Sequence, residues 1–288
     1  MKFKKAVYLG RFQPFHLGHL HVVNEALKVA DSILIIVGSI NKPPSSKNPL
    51  SYHQRYGLIH RCLEERGYAG RFVIEGQKDY DYNESKWIGE INSHVSCSDS
   101  VCIVGHSKDE SSYYLKSFPR FAPVEISNFG GINATGVRQL MYNRFNSWVN
   151  FVPTELWRPI EDILLSQGFD LAREDYKADE LSRDAWSEAP YPPTFITGDA
   201  VVVQSGHVLM IERKNAPGKG LWAIPGGYIN EGEKIDDCII RELYEETTIA
   251  VQEPIIRRAM ACPKVYDAPS RSGRGRIVTH ASLIQLDD

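Results

Sequence analysis

Short, unbroken apolar runs dominate the first half of the chain, each followed by a stretch with helical spacing. Lys5–Leu9 ends in Gly10, Ser32–Val37 is rich in β-branched residues, and Ser100–Val104 ends in Gly105. Runs of this length without polar interruption predict strands buried on both faces, as in a parallel sheet. Arg71–Glu75 reads as a further strand. His19–Ala30 sets Leu20, Val23, Leu27 and Val29–Ala30 on one side of a helix, and Tyr52–Arg66 and Glu84–Val95 are two more helical segments. Strand–helix alternation of this kind predicts an α/β fold with a doubly wound parallel sheet.

The rhythm changes in the second half. Pro153–Ser166 reads as a helix with proline near its start, and Gly168 suits its end. From Leu171 to Pro193 the sequence is charged and then proline-rich, which predicts a connecting helix or linker. Ala200–Val203 and Val208–Ile211 flank Gln204-Ser205-Gly206-His207, a hairpin pattern. A helix at Asp236–Glu246 and a strand at Ile277–Leu286 complete an α+β pattern. The expected organisation is a first domain over 1–180, a linker over 181–193 and a second domain over 194–288. A length of 288 residues suits two domains.

Composition narrows the function. Net charge is −3 and the isoelectric point about 6.3, which argues against a generic nucleic-acid binder. No apolar run approaches the roughly 18 residues of a membrane span. The apolar stretch near the start is cut by Arg11, so no secretory leader is expected. Five cysteines, an odd number with no CxxC spacing, make a disulfide framework or a zinc site poor readings. They read as small buried hydrophobes in a reduced, cytoplasmic protein.

The first chemical signal follows the first strand. In GRFQPFHLGH, Gly10 permits a tight turn, and His16 and His19 lie three apart at the start of a helix. A helix N-terminus offers free N–H groups and partial positive charge, so two imidazoles there make a phosphate platform. The glycine spacing is neither that of a dinucleotide fingerprint nor that of a P-loop.

These residues resemble the GxFxPxHxGH signature of the nucleotidylyltransferase superfamily. INATGVR at Ile132–Arg138 is similar to its second signature, ISxTxxR, with Asn133 in the place of serine. KNPLSYHQR at Lys47–Arg55, NESKW at Asn83–Trp87 and GHSKDESSYYL at Gly105–Leu115 resemble stretches of the archaeal-like nicotinamide mononucleotide (NMN) adenylyltransferases, with Leu50 where an aromatic is usual. The resemblance implies a Rossmann-like domain in which the 5′-phosphate of NMN attacks the α-phosphorus of ATP, giving NAD and pyrophosphate. It implies that His16, His19 and Arg138 are catalytic and that Thr135 helps hold the outer phosphates. Gly10, Arg11, Phe12, Asn83, Trp87 and Gly105 are the substrate-binding candidates it supplies. Trp87 would stack on the pyridine ring, although spacing alone would make it a core aromatic. The alternative acceptor is nicotinate mononucleotide or another nucleotide.

The second signal is GYINEGEKIDDCIIRELYEETTI, from Gly227. Glu242, Glu245 and Glu246 fall at i, i+3 and i+4, so three carboxylates share a helix face. Like charges so stacked repel, and a divalent cation reverses the sign. The segment resembles the Nudix box GX5EX7REUXEEXGU at every defining position but one. Thr248 occupies the place of the last glycine, where a positive φ at the helix end would strain a β-branched residue. The resemblance implies a metal set of Gly227, Glu242, Glu245 and Glu246, with Glu245 and Glu246 catalytic and Mg²⁺ or Mn²⁺ as cofactor.

Together the two parts resemble bifunctional NMN adenylyltransferase/Nudix hydrolases. That implies ATP, NMN, NAD and ADP-ribose as ligands, no nucleic-acid or membrane partner, and leaves a homo-oligomer open. A catalytically silent Nudix module is the alternative. The segment from Thr194 is short for that family, so a fragment or an abbreviated domain is expected. SRSGRGR at Ser270–Arg276 reads as a solvated hairpin tip sooner than as a diphosphate contact.

Overall fold

The computed structural model describes residues 2–97, 99–105, 117–269 and 271–286. Two compact units divide the chain, Met1–Arg173 and Glu174–Asp288.

In the first unit, strands β1 (Phe3–Gly10), β2 (Ala30–Val37), β3 (Phe72–Gly76), β4 (Val101–Gly105) and β5 (Ala122–Glu125) form one parallel sheet in the order β3-β2-β1-β4-β5. The central strands are buried because helices cover both faces: β4 is buried along its whole length, and so is Ile33–Val37 of β2. Helices α1 (Leu17–Val29), α2 (Tyr52–Glu65) and α3 (Glu84–Ser93) make the crossovers. Strand order reverses between β1 and β4, where Tyr8 pairs with Val104. Open α/β sheets bind ligands at the carboxyl ends of strands flanking such a switch point. Gly10 and Gly105 end those two strands. The remainder of the Gly105–Leu115 motif lies outside the described residues.

After α4 (Ala134–Tyr142), the chain does not form the single helix expected over Pro153–Ser166. Two 3₁₀ turns, Asn146–Phe151 and Thr154–Leu156, precede α5 (Trp157–Leu164), and α6 (Gln167–Asp184) follows at once. Ser166 accepts from the Phe169 N–H at 3.3 Å and starts a new helix, so Gly168 lies in a first turn and ends nothing. The unit division falls inside α6, ahead of the expected linker. The later half of α6 belongs to the second unit, where the buried Asp175 accepts from the Gly218 N–H at 2.8 Å.

The second unit is built on β6 (Thr194–Gln204) and β12 (Arg276–Gln285), parallel neighbours in register from Thr194↔Arg276 to Val203↔Gln285. The hairpin is present but short: β6 pairs with β7 (His207–Val208) across Ser205 and Gly206, both at positive φ (47° and 74°), as a two-residue turn requires. β8 (Ile211–Glu212) pairs instead with β9 (Trp222–Ala223). β10 (Gly226–Tyr228) and β11 (Lys264–Tyr266) complete the main sheet, and α7 (Ile235–Glu246) and α8 (Glu253–Ala259) accompany it. Alternate β6 residues Ala200 and Val202 pack with Ile239, Ile240 and Leu243 of α7, Ile256 of α8 and Ile284 of β12. Three cysteines are buried as expected, whereas Cys97 and Cys262 are exposed. Among the described residues, no helix is long and apolar enough to cross a membrane.

Candidate active sites

The loop leaving β1 folds back on itself. Phe12 adopts φ 52° and turns its ring inward, where it is 2% exposed and meets Tyr8 and His19 edge-on. A Cβ on Gly10 would stand 2.8 Å from that ring, so Gly10 is required by Phe12 and not by its own φ. Phe12 therefore offers a ligand only its main chain. Gln13 is buried and exchanges two hydrogen bonds of 2.9 Å with the Leu50 main chain.

His16 is the N-cap of α1. Its Nδ1 accepts from the His19 N–H at 3.4 Å while the His19 Nδ1 accepts from the His16 N–H at 3.2 Å, and the rings stack at 3.6 Å. With both Nδ1 atoms accepting, a neutral ring carries its proton on Nε2, so donation from either ring runs through Nε2. Gly18 leaves room for the His16 ring, 3.1 Å from where its Cβ would stand.

Three guanidinium groups gather at this loop. Arg55 of α2 is 1% exposed and donates to the carbonyls of Arg11, Gly38 and Ser39 at 2.8, 2.7 and 3.4 Å. Arg138 of α4 donates to the Gln13 carbonyl at 2.9 Å and to the Thr135 hydroxyl at 3.2 Å. Burial pushes each down to about 10, and Arg11 adds to the fall in both. Asp79 opposes it for Arg55 and Tyr142 for Arg138. The bonded partners of both are neutral oxygens, so an anion entering here would relieve a real electrostatic cost. Asn133 caps α4 by accepting from the Gly136 N–H at 2.9 Å, the same service a serine gives.

Asn83 likewise caps α3, accepting from the Lys86 N–H at 3.1 Å. Trp87 is half-buried, packed on the core beside Phe118 at 5.9 Å between ring centres.

In the second unit, Arg241 is the hub. It grips Glu233 with two bonds, 2.7 and 3.0 Å, and reaches Glu242 at 2.7 Å, Glu245 at 3.0 Å and the Tyr228 carbonyl at 3.0 Å. Its guanidinium holds the Glu233 carboxyl down at about 2. Glu246 accepts from the Gly226 N–H at 2.9 Å. A Cβ on Gly227 would overlap the Glu242 carboxylate, so this glycine lets strand and acid meet.

Two family models match the chain: a cytidylyltransferase-like domain over residues 7–118 and a NUDIX domain over residues 195–286. A bifunctional NMN adenylyltransferase/ADP-ribose pyrophosphatase from Francisella tularensis superposes with a TM-score of 0.92 at 36% identity, covering 99% of this chain and 86% of that one. The chain belongs to this family. The same Francisella enzyme, solved with AMP and a manganese ion, superposes with a TM-score of 0.88 at 35% identity, again over 99% and 86%. A nicotinamide/nicotinic acid mononucleotide adenylyltransferase from Acinetobacter baylyi is 34% identical over 146 residues, 49% of this chain and 77% of its own. An ADP-ribose pyrophosphatase from Methanocaldococcus jannaschii is 33% identical over 88 residues, 31% of this chain and 48% of its own.

Seen as a member of that family, the chain brings His16, His19, Thr135 and Arg138 together through the Gln13 loop, with Arg11 beside them. Sequence reasoning missed Arg55, whose only signal was its place in KNPLSYHQR. It also missed Asp199, which burial beside Glu246 and Glu242 raises to about 6, against the pull of Arg271. The Nudix carboxylates are less gathered than expected. Among the described residues, no three His, Cys, Asp or Glu side chains converge as a metal site. Arg241 takes the cation's place between Glu242 and Glu245, and the Gly227 carbonyl faces the Cys238 thiol at 3.8 Å. The donor set still fits a hard divalent ion: three carboxylates on adjacent turns, beside a glycine whose missing side chain keeps the cradle open.

Thr248 does not strain the helix end. Thr247 leaves α7 extended (φ −134°), and its hydroxyl donates to the Leu243 carbonyl at 2.6 Å. That bond caps a terminal carbonyl, work otherwise done by a left-handed glycine.

Proposed function

We propose that the first unit transfers AMP from ATP to NMN, giving NAD and pyrophosphate, and that the second hydrolyses ADP-ribose to AMP and ribose 5-phosphate. The observation that carries the first activity is the His16–His19 pair beside the buried Arg138. Their Nε2–H and guanidinium donors would meet the charge that develops on the phosphates. In-line transfer between phosphates needs positioning and charge neutralisation more than a nucleophile on the protein. Neither histidine serves as a base, because the attacking phosphate is already ionised at neutral pH.

In the second unit, Glu242, Glu245 and Glu246 would hold Mg²⁺ or Mn²⁺, which supplies Lewis-acid activation of water toward a diphosphate. Arg241 and Glu233 keep the helix face in register, and Gly226 orients Glu246. The manganese ion in the Francisella structure supports a divalent ion as the cofactor. The Acinetobacter relative's name covers both pyridine acceptors, so nicotinate mononucleotide is the second reading for the first unit. Assaying the purified chain with ATP and NMN, with ATP and nicotinate mononucleotide, and with ADP-ribose and Mg²⁺ separates these readings.

A further inference from the structure

The basic loop around Arg274 is not a solvated tip. Gly273 lies against the carboxylate of Asp179, on the later half of α6, so closely that a Cβ would overlap it. Arg271 donates to the Tyr266 carbonyl at 2.9 Å. Arg274 lies over the Tyr228 ring, 5.4 Å from its centre, and the Tyr228 carbonyl accepts from Arg241. The loop therefore reaches from α6 to β10, beside the carboxylate helix.

A second loop, 213–221, meets the same helix. It is closed by its own main chain: the Arg213 N–H donates to the Leu221 carbonyl at 3.0 Å, and the Gly220 N–H to the Arg213 carbonyl at 2.8 Å. The Arg213 side chain donates to the Pro217 carbonyl at 2.9 Å. Gly218 takes φ 82°, and its N–H donates to the Asp175 carboxylate at 2.8 Å.

Asp175 and Asp179 fall at i and i+4, so one face of α6 makes both contacts, and each acid is only 5% exposed. A buried carboxylate costs free energy that an apolar contact does not. In return, Asp175 fixes a loop main chain by a directed bond, which an apolar side chain cannot do. Each loop also brings an arginine to one place. Arg271 and Arg213 both pull on the Asp199 carboxyl, against Glu246 and Glu242.

We propose that Asp175 and Asp179 are positioning residues of the second unit. From one face of α6 they hold two loops so that Arg213 and Arg271 offset the negative charge of Asp199, Glu242 and Glu246. A diphosphate reaching that face is itself an anion, so the placing of the two arginines sets how much repulsion it meets. This rests on the hydrolase reading of that unit.

The test compares Asp175→Ala, Asp175→Asn and Gly273→Ala with the unmutated chain. Gly273→Ala drives its loop off Asp179 while keeping both acids. Steady-state hydrolysis of ADP-ribose with Mg²⁺ gives KM and kcat, calorimetry with ADP-ribose in EDTA gives Kd, and melting curves report stability. Asp175→Ala and Gly273→Ala should each raise KM and Kd about tenfold, the low end of what a focused local charge contributes, with kcat within about twofold. Asp175→Asn should restore most of the loss, because its amide oxygen still accepts from the Gly218 N–H. Should Asp175→Ala fail to fold, Gly273→Ala carries the test. A lower melting temperature with KM and Kd unchanged makes the contacts merely structural; it overturns the proposal and leaves the hydrolase reading standing. A fall in kcat alone does the same. An asparagine variant as impaired as the alanine one overturns the role given to the Gly218 bond. Binding that Asp175→Ala and Gly273→Ala both weaken, without hydrolysis in any divalent ion, upholds the positioning role and removes the hydrolase reading. An unmutated chain that neither binds nor hydrolyses ADP-ribose overturns both.

Discussion

His16 and His19 cap one another: each Nδ1 accepts the other's main-chain N–H, at 3.4 and 3.2 Å. One arrangement thus starts helix α1 and fixes the tautomer of both rings. Structure and chemistry share the same two bonds.

His19→Ala removes a donor and half of that cap. NAD formation should fall by about 10²–10³, the cost of losing one donor to developing charge. The helix start should lose about 0.5–2 kcal/mol. Initial rates and thermal melts check both, and ADP-ribose hydrolysis should be unaffected.

Gly227→Ala should act on the other unit alone. Its Cβ would overlap the Glu242 carboxylate and push strand and helix apart. A displacement of about 1 Å at a reacting site can cost 10²-fold, so kcat for ADP-ribose should fall on that order. NAD synthesis in the same preparation should hold its rate.

Thr248→Gly should bring no gain in activity or stability, because the chain leaves α7 without a left-handed residue. Thr247→Val keeps the shape and deletes the hydroxyl bond to Leu243. It should destabilise the second unit by about 0.5–1.5 kcal/mol. Melting curves of the two variants should move in this order, and a stabilising Thr248→Gly would contradict the helix end described above.

Glu233 sets an acid-side dependence. Arg241 holds its carboxyl at about 2, whereas an unfolded glutamate titrates near 4.3. The ion pair's contribution is therefore complete above about pH 4.3 and is lost as the pH falls toward 2. Glu233→Gln should flatten the melting temperature of the second unit over that window and lower it at neutral pH. An unchanged acid slope would show that Glu233 is not the group responsible.

The parallel sheet was legible because β2 and β4 are buried on both faces and so carry unbroken apolar runs. Edge strand β5, Ala122–Glu125, contains Pro123 and only four residues, too little pattern to read. The break before α6 turned on one serine side chain. Both chemical motifs were legible because their spacings are local. Arg55 was not, since its carbonyl partners at Arg11 and Gly38 lie 44 and 17 residues away. Asp199 was hidden for the same reason, because its neighbours Glu242 and Glu246 reach it only through the packing of α7 on the sheet. Local spacing also placed the three carboxylates on one face without showing that Arg241 stands between two of them.

The most direct measurement assays one preparation for both reactions in three forms: unmutated, His19→Ala and Glu246→Gln. NAD from ATP and NMN, and AMP from ADP-ribose with Mg²⁺, are followed side by side. The account predicts both products from the unmutated chain, loss of NAD alone in His19→Ala, and loss of AMP alone in Glu246→Gln. An unmutated chain that makes only one product, or a variant that loses both while folded, would contradict two independent active sites.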